Sequence, residues 1–264
     1  PKRPVTSAKQ SGEIGMPETT YQDSDHAVRS DTTDRYFLYA SATLLALLIV
    51  GFSPTLFLKT VFDTPELPIH LHVHGAVITL WFVWLLSQAS LVALNRTDAH
   101  RRFGKIAAVF GFAVIPAGIS ATLGMVGRAR AAGADIERNV GIFSSIVWGN
   151  LFSLVAFFGF LVFAIYFRRR PDIHKRLMLF ASLVIMGPVF ARISFWPMFS
   201  SIGEIPFIVA GILIMMGTLF VHDLVKTRRV HVATAIGGLC LVLSVVSSQL
   251  FSGIEFAQNF VRGL

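Results

Sequence analysis

The chain has 264 residues, of which 54% are hydrophobic and 14% charged, and its formal net charge is +8 at pH 7. Soluble domains carry about 25% charged residues, so this composition excludes an ordinary water-soluble fold and indicates that lipid solvates part of the surface. The net positive charge does not indicate nucleic-acid binding, because the lysines and arginines cluster in short segments between apolar runs, as they do in membrane proteins.

The N-terminal segment, residues 1–35, differs in composition from the rest of the chain. It is rich in Lys, Arg, Ser, Thr, Asp and Glu and has few large apolar side chains. Such a segment buries too little apolar surface to offset the entropy lost on ordering. The sequence therefore predicts a flexible polar tail.

Seven apolar runs follow the tail. A helix of about 20 residues spans a hydrocarbon core of roughly 30 Å, and none of the runs alternates polar and apolar residues as membrane β-strands do. The runs are 36–57, 73–95, 104–126, 142–167, 177–198, 205–224 and 232–251. The sequence predicts an all-α integral membrane domain over 36–251, with seven transmembrane helices and a short C-terminal tail over 252–264.

The basic residues predict the orientation of these spans. Seventeen of the 23 lysines and arginines lie in the tail and in alternate loops, five lie on the opposite side, and Arg192 falls within a span. Cytoplasmic loops carry an excess of Lys and Arg, which predicts an inside N-terminus and an outside C-terminus. We expect a bacterial inner membrane and contacts with its anionic lipids.

A short motif occurs twice at the inner ends of the predicted helices. Asp98-Ala-His100-Arg101-Arg102 recurs as Asp172-Ile-His174-Lys175-Arg176. In each copy, one predicted helix ends at a polar turn and the next begins at the His-basic-basic triplet. The repeat predicts that helices 2–3 and helices 4–5 form two related hairpins, an arrangement found in transporters and in bundle cytochromes.

Three histidines lie at the beginning of the second span: His70, His72 and His74. If the segment is helical, the first and third share one face, and if it is extended, all three project to one side. Neutral imidazole binds Zn, Cu or Fe, so one interpretation is a transition-metal site. The alternative is an interfacial run of amphipathic rings at headgroup level.

Arg192 lies within the predicted fifth span, where a charged side chain usually faces a cavity or a partner; the alternative is that it extends to the headgroups. His74, Asn150 and Gln249 lie at comparable depth on other helices. These four residues predict an outward-facing polar pocket.

Helix 2 also carries a stripe of residues spaced by seven, in which Trp81 and Gln88 follow His74. The stripe either extends the pocket or packs against a neighbouring helix. Pro116 and Pro188 lie within predicted helices and should kink them, because proline lacks the N–H of the helical hydrogen bond.

Further histidines lie at the inner ends of the helices, and three of them, His100, His174 and His222, are candidate ligands. Two histidines on different helices can bind the iron of haem b. The alternative for the first two is a helix start, where Asp98 and Asp172 accept backbone N–H bonds while the basic triplets contact lipid.

The segments HRRFGK at 100–105 and HKRLM at 174–178, with Arg192 in ARI, resemble a bacterial family of predicted multi-helix membrane proteins of unknown function. The resemblance extends over about residues 70–200 and implies the fold but no activity. The helices with histidine near their ends also look like cytochrome b561-type bundles, which implies haem.

Three classes of function follow. The first is a redox membrane protein linked to a transition metal or to haem b; the second is a carrier of a small solute that uses the polar pocket. The third is an accessory subunit packed against a larger membrane complex. The expected protein partners are such a complex or further copies of the chain, and the alternative to a transition metal or haem b is that no cofactor is bound. Within the predicted spans, the one acidic residue is Asp223 at the rim, which disfavours a proton pump.

Overall fold

The structure is a computed structural model that describes residues 24–62 and 66–264, with side chains described from residue 35 onward. Most of the predicted tail, residues 1–23, lies outside the described residues. The remainder of that segment belongs to the first helix, which begins at Ser24.

The described part of the chain is helical and contains no strand. The ten α-helices are α1 (Ser24–Phe52), α2 (Lys59–Phe62), α3 (Ile69–Ala93), α4 (Thr97–Ala131), α5 (Val140–Tyr166), α6 (Pro171–Val184), α7 (Gly187–Ser194), α8 (Glu204–Thr227), α9 (Val232–Ser252) and α10 (Glu255–Arg262). A π-helical turn, Ser53–Phe57, follows α1. By length and composition, six segments within the described residues can cross a membrane, or seven if the bent pair α6–α7 is one span. The prediction of an all-helical chain with apolar spans is confirmed at this level.

The predicted span 177–198 consists of two helices in the structure, α6 and α7, whose axes meet at an angle of 45°. Pro188 lies in the first turn of α7, where its missing N–H costs no intrahelical hydrogen bond. Because proline cannot donate to the carbonyl four residues earlier, Pro188 disfavours a continuation of α6. In contrast, α4 continues through Pro116 without a break.

The core lies between α1, α3, α5 and α6, and its largest buried side chains include Trp81, Phe82, Phe157 and Phe180. Trp81 packs edge-to-face on Phe157, with 5.2 Å between the ring centroids, and its indole N–H donates to Ser182 Oγ at 3.2 Å. At Trp81, the stripe of residues on the second predicted span therefore packs against α5 and α6.

The segment predicted as a short tail, 252–264, contains α10, which packs against α5. Ala257 and Val261 are fully buried there. The indole N–H of Trp148 donates to the Ala257 carbonyl oxygen at 3.2 Å. This helix thus covers one end of the bundle.

The two ends of the bundle are named here by one arginine each. The Arg128 end holds the beginnings of α3 and α5 and the ends of α4 and α7; the Arg176 end holds the ends of α3 and α5 and the beginnings of α4 and α6.

Candidate functional site

A cavity of about 240 Å³ lies at the Arg128 end between α1, α3, α4, α5 and α7. Its walls are mostly apolar, and no carboxylate of a described residue lines it. The larger polar side chains that line it are His74, Arg128, Asn150 and Arg192. The structure therefore brings together three of the four residues predicted to share a pocket.

Arg192 lies in the last turn of α7. Its guanidinium lies over the ring of Phe52, with 4.5 Å to the ring centroid. Within the part of the chain that the structure describes, this guanidinium has no ion pair or hydrogen bond. A cation in an apolar wall costs free energy unless an anion compensates it. Arg192 is exposed as a whole, so a negatively charged ligand can reach its guanidinium from the rim of the cavity and compensate its charge there.

His74 points at α4, where its Nδ1 donates to the Ala117 carbonyl oxygen at 3.1 Å. A carbonyl oxygen only accepts, so Nδ1 carries the proton and Nε2 of the neutral ring keeps its lone pair. The hydrogen bond fixes the orientation of the imidazole at the cavity wall.

Arg128, which contributes to the basic-residue count of one loop, is also part of the cavity wall. Its Nη1 donates to His70 Nε2 and its Nη2 to the Ala121 carbonyl oxygen, both at 3.0 Å. Gly124 leaves room for this fold-back, since a Cβ there would lie 2.7 Å from Arg128 Nη1. The sequence did not predict this role of Arg128. A glycine one turn before an arginine is only a weak indication that the arginine side chain folds back along its helix.

The predicted metal site at His70, His72 and His74 receives no support. The segment is helical from Ile69 onward, so the exposed His72 points away from the other two. His70 Nε2 already accepts a hydrogen bond from the cationic Arg128. Among the described residues, no group of three or more His, Cys, Asp or Glu side chains could hold a metal ion.

Gln249, the fourth predicted pocket residue, lies outside this cavity. Its Oε1 accepts from Ser145 Oγ at 2.6 Å, and the nearby Ser144 Oγ donates to the Ser252 carbonyl oxygen at 2.7 Å. These bonds connect α5 to α9. Gln249 therefore contributes to helix packing.

At the Arg176 end, the structure brings together two of the three histidines predicted to bind a cofactor. The rings of His100 and His174 have centroids 6.3 Å apart at an interplanar angle of 82°. His222 lies elsewhere, stacked on Tyr36 with 4.3 Å between ring centroids. The side-chain amide of Gln88, near His100, is buried without a hydrogen-bond partner.

A buried ion pair at the same end was also missed by the sequence analysis. The Arg176 guanidinium pairs with the Asp223 carboxylate, and both side chains are almost inaccessible to solvent. Asp223 also accepts hydrogen bonds from Thr234 Oγ1 at 2.5 Å and from the backbone N–H of His231 at 3.1 Å. The counterpart of Arg176 in the repeated motif, Arg102, is exposed, so the motif gives no signal for the pair.

Comparison of the chain with models of protein families, with curated proteins and with solved structures finds no match. The resemblance to a family of membrane proteins stays a prediction, and the functional interpretation rests on the geometry of the residues.

Proposed function

We propose that the protein is a membrane carrier for a small organic anion, whose carboxylate binds Arg192 in the cavity at the Arg128 end. The observation that carries this proposal is the exposed Arg192, which lines a mostly apolar cavity and has no carboxylate partner among the described residues. The proposal replaces the metal-linked function at this end of the bundle, because Arg128 and Arg192 would both repel a metal cation there.

The other lining residues define the class of ligand. Arginine binds a carboxylate through two parallel hydrogen bonds, and the Asn150 amide can donate a further one. The apolar lining, which includes Leu71, Ile78 and Leu154, favours a hydrocarbon or aromatic group beside the carboxylate. A monocarboxylate with a small apolar body satisfies both parts of the cavity.

A second cavity supports a route to this site. It has a volume of about 510 Å³ and shares Thr55 and Arg192 with the first. Its remaining wall includes Phe62 and Trp196. An anion that enters this space meets Arg192 before it reaches the inner cavity. The excess of basic residues at the Arg176 end favours an orientation in which this entrance opens to the outside.

The first experiment uses benzoate and benzamide, which match in shape and differ in charge. We expect benzoate to raise the melting temperature of the detergent-solubilised protein and to bind in calorimetry, and benzamide to do neither. A hydrogen bond to a charged group contributes about 1.5–3 kcal/mol, so Arg192→Gln should weaken benzoate binding by about 10- to 100-fold.

The matched control is Arg138→Gln, because Arg138 is exposed and lies outside both cavities. It should bind benzoate as the wild type does. Equal binding of benzamide, or an unchanged affinity in Arg192→Gln, would contradict the proposal.

Transport and orientation need separate measurements. Proteoliposomes that contain the wild type should take up labelled benzoate, and Arg192→Gln should abolish this uptake. If the wild type binds benzoate but does not take it up, the proposed transport is wrong and the proposed binding site is retained. In a Cys240→Ala background, an impermeant maleimide should label Arg138→Cys on intact cells but not Arg102→Cys. The reverse result would invert the orientation.

A further inference from the structure

We infer that the cavity at the Arg128 end takes up a proton together with each anion, and that His74 binds this proton. The inference rests on the proposed function, because it concerns the same cavity and the same class of ligand. It makes the protein a carrier in which a monocarboxylate and a proton move together. The cavity combines an imidazole and two guanidinium groups, and no carboxylate of a described residue lines it.

The proton acceptor is Nε2 of His74. Nδ1 of the same ring donates to the Ala117 carbonyl oxygen at 3.1 Å, so Nε2 carries the lone pair of the neutral imidazole. Nε2 has no hydrogen-bond partner among the described residues, and it does not belong to the buried side-chain atoms that lack a partner. It is therefore accessible to water, and it can bind a proton without loss of the hydrogen bond to α4.

The other ionisable groups around the cavity have different roles. The guanidinium groups of Arg128 and Arg192 remain protonated. His70, one turn earlier on α3, uses its Nε2 lone pair to accept from Arg128 at 3.0 Å. Glu66, which precedes α3, pairs with Lys59, and the lining residues on α1 and α5 are not ionisable. Within the described part of the chain, one lone pair of the lining is thus left to accept a proton.

The charges of the cavity couple the proton to the anion. A third positive charge beside two guanidinium groups costs electrostatic free energy, because an apolar wall screens charges less than water does. A bound carboxylate offsets this cost, and the protonated imidazole offers it a further charged hydrogen-bond donor. Each ligand therefore increases the affinity of the site for the other, and this coupling is reciprocal.

The charge of the site balances over one cycle. The proton comes from water, binds the lone pair of Nε2 and returns to water when the anion leaves, so no bond of the ligand breaks. The empty cavity has two positive charges, on Arg128 and Arg192. The loaded cavity has three positive charges and one negative charge, which again gives two. Since the membrane potential acts on net charge, we expect a pH gradient to drive transport and the potential to have no effect.

Calorimetry of benzoate binding in two buffers with different ionisation enthalpies measures proton uptake directly. At neutral pH, the wild type should take up close to one proton per benzoate. Its affinity should fall as the pH rises, by at most about tenfold per pH unit. His74→Asn retains an amide donor toward the Ala117 carbonyl oxygen and removes the titrating nitrogen. This variant should bind benzoate more weakly, without proton uptake and with an affinity that does not change with pH.

The matched control is His72→Asn, because His72 is exposed and lies outside both cavities; its proton uptake should equal that of the wild type. If His74→Asn does not fold, His74→Gln is a second neutral replacement with the same expected result. Benzoate binding by the wild type without proton uptake would overturn the inference and retain the anion site, and so would proton uptake that persists in the His74 variants. Absence of benzoate binding would reject the inference and the proposed function together.

Proteoliposomes test the coupled movement. Uptake of labelled benzoate, measured above that of protein-free liposomes, should increase when the outside is made acidic and should not respond to a potassium diffusion potential. His74→Asn should lose the response to the pH gradient. Uptake that follows the potential and not the pH gradient would contradict the coupling of proton and anion.

Discussion

Asp223 on α8 accepts the guanidinium of Arg176 on α6 in an ion pair that is closed to solvent. The same carboxylate accepts hydrogen bonds from Thr234 and from the backbone of His231, so it joins α6, α8 and α9. The pair compensates two charges that would be costly to bury separately.

We expect Asp223→Asn to destabilise the protein by about 3–5 kcal/mol, because the substitution leaves a buried guanidinium without a counter-charge. Denaturant unfolding in detergent measures this change. Asp98→Asn is the matched control, since Asp98 is exposed at the beginning of α4, and its effect should be small. Equal losses in the two variants would show that the ion pair does not stabilise the bundle.

Gly237 on α9 permits a close contact with Phe180 on α6. A Cβ at this position would collide with the buried ring of Phe180, so Gly237→Ala should cost about 1–3 kcal/mol through overpacking. In Gly159→Ala on α5, the new Cβ has no atom within 4 Å. Alanine loses less backbone entropy on folding than glycine does, so this substitution should leave the stability unchanged or raise it. Thermal unfolding of the two variants tests the difference.

Val261 attaches α10 to the bundle with a fully buried side chain, whereas Phe256 on the same helix is 66% exposed. Val261→Asp places an unpaired carboxylate in an apolar contact and should release the helix. Trypsin should then cleave after Arg262 faster than in the wild type. Phe256→Asp should leave the rate unchanged, and equal cleavage in both variants would contradict the docking of α10.

Lys59 lowers the pKa of Glu66 by donating a hydrogen bond to its carboxylate. A lowered pKa in the folded state means that the pair contributes stability above the pKa of the unfolded state and loses it as the pH falls. Lys59→Met should therefore raise the pKa of Glu66 in a carbon-13 NMR titration. An unchanged titration would show that the pair does not form in solution.

The sequence predicted the helical bundle because membrane segments have few alternatives. Lipid offers no partners to backbone N–H and C=O groups, so apolar runs of sufficient length must form helices. Proline chemistry predicted kinks at Pro116 and Pro188; the chain bends by 45° between α6 and α7, next to Pro188, whereas α4 continues through Pro116. Depth along a helix follows from the residue count, and this explains why His74, Asn150 and Arg192 could be placed around one pocket.

Only the tertiary structure decided which side chains face each other. Residue counting gives the depth of Gln249 but not the rotation and packing of α9, which turn it toward Ser145. Similarly, Arg176 and Arg102 occupy equivalent positions of a repeated motif, yet only Arg176 is buried against a carboxylate. Rotation and packing depend on the shapes of neighbouring helices far apart in the chain, and a local pattern of residues does not contain them.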